Sequence, residues 1–505
     1  MDIGQWVRRS ALDSPERVAV RSSAGSRTYA EVMEHSSRLA NALAGLGLER
    51  GDRVLVLLEN RLEYPEIDLG IVTGGFVRVA LNARLGVRDF SLVAEDSGAR
   101  VIISEEVFDE VAGEITDAYG LTWIRLGSVV VAGGPLEYDA VLASARSVLP
   151  DVLPGSGDTA WISYTSGTTG RPKGVVLSHR AITEVARNLL IGLGPVRRGD
   201  GILLPQPVSH GAGYFVLPYL AGGGTVRLMR HFDPHEAADI SVREHIGALK
   251  CVPDMLNTMV SERVAAPFSS IIYGAAPIAQ PQLEAALNLF GPVLTQIYGQ
   301  SEAPATLTIL DKADHARVGA HRNSAGRPWP FVATRIVDPD GQEVAAGATG
   351  ELIICAPHQM DGYFGREDLT REVLRDGWIW TRDMAFRDDE GYIHLQGRRD
   401  DIINSGGFNI APREVENVLV MHPSVEEVAV IGLPDARWGQ AVTAFVVVKG
   451  GVSLLDGEIE EFSKPLLGFR CPRHVIFVEA LPRNSYGKVD LVALRQSSFD
   501  ALLHP

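Results

Sequence analysis

Cysteine is scarce in this chain, and long apolar runs are absent. Three cysteines occur in 505 residues, Cys251, Cys355 and Cys471, and they lie too far apart for paired zinc-ligand spacing or a disulfide framework. They are expected to be buried, reduced thiols. No stretch approaches the roughly 20 apolar residues that span a bilayer, and the opening MDIGQWVRRS lacks the apolar segment of a secretion signal. A cytoplasmic protein without an integral membrane segment is expected, either a monomer or a homodimer. Excess positive charge is missing too. The net charge of −16 excludes a general nucleic-acid binder, which needs a basic face to neutralise phosphates.

What is present is an ordinary globular composition, 46% hydrophobic and 22% charged, in a chain too long for one core. Apolar strand-like runs alternate with helical patterns, which predicts an α/β architecture with largely parallel sheets. In the first clear unit, Thr28 and Glu31 form a T-x-x-E cap. Val32, Leu39, Leu43 and Leu46 then recur on one helical face as far as Gly47, and a strand follows at 53–58. Past about residue 320 the pattern changes to short strands and turns, which predicts a small β-rich, barrel-like subdomain. The polar segment GRRDDIINSGG then marks a boundary. Beyond it come a helix opened by Pro412, strands at VEEVAVIGL and AVTAFVVVK, a helix near 455–467 and a strand at HVIFVEAL.

The most informative segment is WISYTSGTTGRPKGVVLSH, residues 161–179. An apolar strand runs into a loop able to wrap phosphate oxygens. Gly167 and Gly170 permit close backbone approach, Thr165, Ser166, Thr168 and Thr169 offer hydroxyls, and Lys173 brings positive charge. The Walker pattern is not met, because Gly174 follows Lys173. His231 and His235 have HxxxH spacing, but Pro234 breaks a continuous helical face and excludes a zinc site.

The string YTSGTTGRPKGV resembles the phosphate loop of the adenylate-forming superfamily of acyl-CoA synthetases, luciferases and peptide-synthetase adenylation domains, and further motifs of that family follow in order. IYGAAPI, with Gly274, resembles the segment lining the adenine and acyl pockets, and has Ala275 and Ala276 where Gly-Ala is commoner. YGQSEA is similar to the YGxTE segment. The resemblance implies that Tyr298 and Gly299 adjoin the nucleotide, that Ser301 contacts the α-phosphate and that Glu302 helps to hold Mg2+. WTRDMAF aligns with a T-G-D motif, so that Asp383 would accept from the ribose hydroxyls, with Arg382 in place of glycine. Arg398 and Asp400 match the nucleotide-contacting arginine and the hinge pivot. Lys488 in LPRNSYGKVD matches the lysine that enters the site during adenylation.

The resemblance implies a large N-terminal domain, 1–396, of two α/β subdomains and a β-barrel-like subdomain, a hinge at 397–400, and a mobile α+β domain at 401–505. It further implies ATP-dependent conversion of a carboxylic acid to an acyl-adenylate, with Lys488, Ser301 and His210 acting in catalysis. DARWGQAV is similar to the acyl-CoA ligase branch, with Trp438 to pack on coenzyme A and Ser405, Gly406 and Gly407 beside the pantetheine. A carrier protein, an amine or another acceptor is the alternative, as is a non-carboxylic oxyacid substrate. The acyl pocket is expected from His210, Tyr214, Phe215, Tyr273, Gly274, Tyr298, Gln300, Ala303 and Pro304. No basic residue stands out for a second carboxylate, which favours an aryl or medium-chain aliphatic acid.

Overall fold

The Thr28 cap forms as its spacing predicts. Thr28 accepts from the Glu31 backbone N–H, and Glu31 accepts from the Thr28 backbone at 2.7 Å, closing both ends of the capping box. The helix Tyr29–Gly45 buries Val32, Leu39 and Leu43, and Gly47 follows with φ +84. Leu46 corrects the expected face: it is the C-cap and lies 37% exposed, because the chain has already left the helical path. The computed structural model describes residues 2–83, 85–127, 134–150, 153–165, 172–450, 454–455, 457–483 and 489–496.

Two large sheets carry the N-terminal part. One has eight strands and centres on Thr159–Thr165, Val77–Ala80, Arg53–Leu57 and Val101–Glu105. The other has nine, with Leu294–Gln300, Ser270–Gly274, Ala248–Cys251 and Gly201–Leu204 side by side. Their central neighbours run parallel. Strand residues alternate between faces, and three cores result. Val54, Val56, Ile202, Leu204 and Ile272 share the inner core with Leu39, Ile67 and Ile182 of the helices between the sheets. Leu55, Val79 and Ile102 pack outward on Phe90 and Ile115, whereas Leu203, Leu249 and Ile271 pack outward on Leu256 and Leu283. Helix, sheet, helix, sheet and helix layers follow, as expected where parallel sheets are covered on both faces.

The β-rich piece is a five-stranded antiparallel half-barrel built on Ala333–Val337, Gly350–Cys355 and Trp378–Arg387, with Ile393–Arg398 paired to the last. A smaller C-terminal domain follows. Its strands Val425–Asp435 and Gly439–Val448 pair along their length. The helices Pro412–Leu419 and Glu458–Leu467 cover one face through Val415, Leu419 and Ile459, while Leu481 and Leu494 cover the other. Cys251 and Cys471 are buried, Cys355 is half-buried, and all three are free thiols.

The hairpin from Leu294–Gln300 to Ala303–Leu310 shifts register between Tyr298 and Gln300. A methyl group added at Gly299 there would collide with the Ala305 backbone, so the bulge has no room for a side chain. Gly299→Ala is expected to lower stability by about 1–3 kcal/mol, read as a lower urea midpoint at unchanged slope.

Candidate functional site

The loop side of the cleft begins where Thr165 pairs with Lys173, the last described pair before the connecting segment of the hairpin from Thr159–Thr165 to Lys173–Ser178. Ser166, Gly167, Thr168, Thr169 and Gly170 lie outside the described residues, as does Lys488. The Lys173 ammonium stands 5.7 Å from the centre of the Tyr363 ring. Tyr363 is held by pairing of Gly362–Tyr363 with that same hairpin, and its hydroxyl donates to Glu302 at 2.6 Å. A cation, a phenol and a carboxylate thus form a continuous wall. Ser301 stands half-buried beside Glu302 at the turn between two strands.

The opposite wall is organised by Asp383. Tyr298 and Gln300, the latter at 2.6 Å, donate to one of its carboxylate oxygens, and Arg398 lies 3.0 Å from the other. Gln300 and Arg398 also both donate to the Thr381 carbonyl at 3.0 Å. Burial, reinforced by the Asp383 charge, raises the Tyr298 phenol well above its ordinary range, so it stays a neutral donor. These partners leave Asp383 acceptor capacity for a further donor.

Two departures from the family pattern fall where the backbone is left-handed. Ala275 has φ +70 and Arg382 has φ +61, a region that favours glycine. Arg382 is held there by its N–H on Glu351 at 2.9 Å and by ion pairs to Glu372 at 3.5 Å and Asp400 at 3.7 Å. Asp400 is exposed in the short turn Arg399–Asp401. Gly274 answers to packing, since an added methyl would meet the Ile297 carbonyl of the adjacent strand.

His210 lies in the turn following Gly201–Leu204. Its Nδ1 is 2.9 Å from the Ser209 hydroxyl, and the ring also meets the Tyr164 backbone. Burial, helped by the Arg78 charge, lowers its pKa to about 4, so it is a neutral imidazole near pH 7. Tyr214 packs on the Trp161 ring at 5.1 Å and hydrogen-bonds Ser163. Gln300 joins the Asp383 side of the cleft, and Phe215, Ala303 and Pro304 are buried. Tyr273 is a correction. Strand alternation turns it to the outer core, where its hydroxyl meets Gln296 and His315 at 3.0 and 2.9 Å, away from the cleft.

In the small domain, Gly406 and Gly407 are exposed but Ser405 is buried in its strand. Trp438 lies across Gly406, with the guanidinium groups of Arg437 and Arg473 4.9 and 4.7 Å from its ring. Polar contacts among the described residues join this domain to the large one. Arg413 donates to the Ile278 carbonyl at 3.5 Å, and Arg483, just ahead of the segment containing Lys488, lies 3.4 Å from Asp254.

This geometry has counterparts among known proteins. The AMP-binding enzyme model matches residues 7–364, and the AMP-binding enzyme C-terminal domain model matches residues 414–488. The chain belongs to the AMP-binding enzyme family. It is 36% identical over 497 residues to a feruloyl-CoA synthase of Amycolatopsis sp, covering 96% of this chain and 97% of that protein. It is 35% identical over 490 residues to a fatty acid–[acyl-carrier-protein] ligase of Streptomyces coeruleorubidus, covering 95% and 93%. The structure of an amide bond synthetase from Marinactinospora thermotolerans superposes with a TM-score of 0.89 at 28% identity, covering 98% of this chain and 100% of that one.

Two residues of this AMP-binding enzyme escaped the sequence reading. Arg78 is buried beneath the cleft, with Asp68 at 2.7 Å, the Trp161 ring at 4.2 Å and the Val208 carbonyl at 3.0 Å, so it ties the turn carrying His210 to the eight-stranded sheet. Lys250 is buried in the strand Ala248–Cys251. The only available signal was a charge inside an apolar run, RVA at 78–80 and ALKCV at 248–252.

Two expectations follow for the AMP-binding enzyme. Arg382→Gly should hold stability within about 1 kcal/mol, while Arg382→Val should lose about 1–2 kcal/mol more; equal urea midpoints for both would refute backbone control. Burial also lowers His179, His210 and His358 to about 4 each. The unfolded chain, with histidines near 6.5, therefore binds more protons between pH 6.5 and 4. These three groups contribute stability above pH 6.5 that is lost as pH falls toward 4. His358→Gln should accordingly reduce the drop in urea midpoint between pH 7 and pH 5, and an unchanged drop would contradict this account.

Proposed function

We propose that the protein activates a carboxylic acid with ATP and passes the acyl group to the thiol of coenzyme A. The observation that carries this reading is the gathering of Lys173, Glu302, Asp383 and Arg398 from separate segments around one cleft. A carboxylate oxygen of the acid attacks the α-phosphorus of ATP and diphosphate leaves, giving the acyl-adenylate. The thiol sulfur then attacks the acyl carbonyl, loses its proton, and AMP leaves.

Thr165, Ser166, Gly167, Thr168, Thr169, Gly170 and Lys173 would cradle the β- and γ-phosphates. Ser301 would donate to the α-phosphate, and Gly274, Ala275, Ala276, Tyr298 and Gly299 would border the base. Asp383 would accept from the ribose hydroxyls while Arg398 fixes its carboxylate. Glu302 offers the oxygen left free by Tyr363, a fit for Mg2+, which uses few protein carboxylates and fills its shell with water and phosphate oxygens; bound there it would neutralise phosphate charge. His210, Tyr214 and Gln300 would surround the carboxyl end of an aryl or medium-chain acid.

Lys488 would place an ammonium between the two anions that meet in the first step. The contact of Arg483 with Asp254 supports this, since it sets Arg483, nearby in sequence, against the large domain. Asp400 would be the pivot that exchanges this pose for one exposing Trp438, Gly406 and Gly407 to coenzyme A. An aromatic ring close to Arg437 and Arg473 suits a phosphorylated adenine nucleotide. Co-substrates of this kind favour a cytoplasmic location, and no helix among the described residues is long and apolar enough to cross a membrane.

The test is diphosphate release from ATP across an acid panel, followed by assay for the CoA thioester. Adenylate without thioester would shift the acceptor to a carrier protein or an amine, the chemistry named for two relatives. Lys488→Ala should slow adenylation by about 10²–10³ yet spare thioester formation from supplied acyl-adenylate. Equal loss in both steps would remove its assigned role.

A further inference from the structure

Lys250 is the penultimate residue of Ala248–Cys251, a parallel strand between Gly201–Leu204 and Ser270–Gly274. Both neighbours lead at their carboxyl ends into cleft segments, the first to His210 and the second to Ala275 and Ala276. Open parallel sheets bind their ligands at that edge. Leu249 and Cys251 face the outer core and Ala248 the inner one, so alternation directs Lys250 inward, toward the cleft side. Its ammonium lies 5.8 Å from the centre of the Phe215 ring.

The coordination of this ammonium is incomplete. Lys250 is 3% exposed, and Nζ donates to the Cys251 carbonyl at 2.8 Å and to Gln206 Oε1 at 3.1 Å. An ammonium has three hydrogens, and among the described residues the third has no acceptor and no carboxylate pairs with the charge. Burial lowers its pKa to about 8, with only the Cys251 thiol pulling the other way. A buried charge without an anion is unfavourable, and an apolar side chain of the same length would fill this space without that penalty. Gln206, by contrast, is half-buried on the segment that leads to His210, so its side of the ammonium faces the cleft approach.

We propose that Lys250 determines acid specificity, receiving an oxygen acceptor carried on the tail of the acid, at the end remote from the reacting carboxyl. The ligand oxygen takes the third hydrogen or replaces Gln206 Oε1. This rests on the reading that the cleft adenylates a carboxylic acid, and narrows that acid to one with an oxygenated tail.

The experiment measures acid-dependent diphosphate release for wild type, Lys250→Met and Lys250→Gln. Matched acids are cinnamate, 4-hydroxycinnamate and 4-carboxycinnamate, then octanoate, 8-hydroxyoctanoate and octanedioate. Wild type is expected to favour at least one oxygenated acid over its plain partner by about tenfold or more in kcat/KM, the scale of one buried charge-assisted hydrogen bond. The hydroxyl and carboxylate arms tell a neutral acceptor from an anionic one. Lys250→Met should reverse the preference, raising KM for the oxygenated acid and lowering it for the plain one, with Lys250→Gln intermediate. No preference in wild type, or an unchanged ratio in either variant that folds, overturns the assignment of Lys250 alone. Absence of diphosphate release by wild type with every acid overturns the adenylation reading and this inference with it.

Discussion

One carboxylate holds the cleft together. Asp383 draws Tyr298 and Gln300 from the carboxyl end of Leu294–Gln300 in the nine-stranded sheet and Arg398 from the end of the half-barrel. The Thr381 carbonyl repeats the linkage by accepting from Gln300 and Arg398. A partly buried anion needs such donors, and their number fixes the half-barrel against the sheet at the place where the chain turns toward the small domain. Glu302 does the same on the other wall through Tyr363, itself stitched to the hairpin that ends at Lys173. The two walls meet in the single hairpin that carries Tyr298, Gln300 and Glu302, so its bulge at Gly299 sets the spacing between them.

Ala275 and Arg382 show that backbone shape outlasts the residue that suits it best. Each stands where the family pattern has glycine, and each keeps a left-handed φ. Alanine has too little side chain to compensate. Arginine compensates partly through Glu351, Glu372 and Asp400, which couples the strained position to the turn next to the small domain.

Much of the architecture was legible in the chain. The Thr28 box, the change to short strands past residue 320, and the helix and strand order after Pro412 all rest on local signals that the structure reproduces. The motif residues Lys173, Glu302, Asp383 and Arg398 stand out because they occur in family order, and the structure sets Lys173 and Glu302 about Tyr363 and Arg398 beside Asp383. Side-chain direction was not. Tyr273 and Lys250 sit in apolar strands buried on both faces, where no polar alternation marks the inner side. Register with the neighbouring strands decides that Tyr273 points outward and Lys250 inward. Arg78 escaped for the same reason: two of its partners, Trp161 and Val208, are distant in sequence and meet it only when the fold assembles.

The small domain's sheet is covered on both faces by residues of its own segment, Val415, Leu419 and Ile459 on one side and Leu481 and Leu494 on the other. Among the described residues its interior therefore borrows nothing from the large domain, and the polar contacts Arg413–Ile278 and Arg483–Asp254 can part without opening a core. Modularity follows: the piece can be exchanged with that of a relative as a cassette, leaving the large domain to keep its own packing.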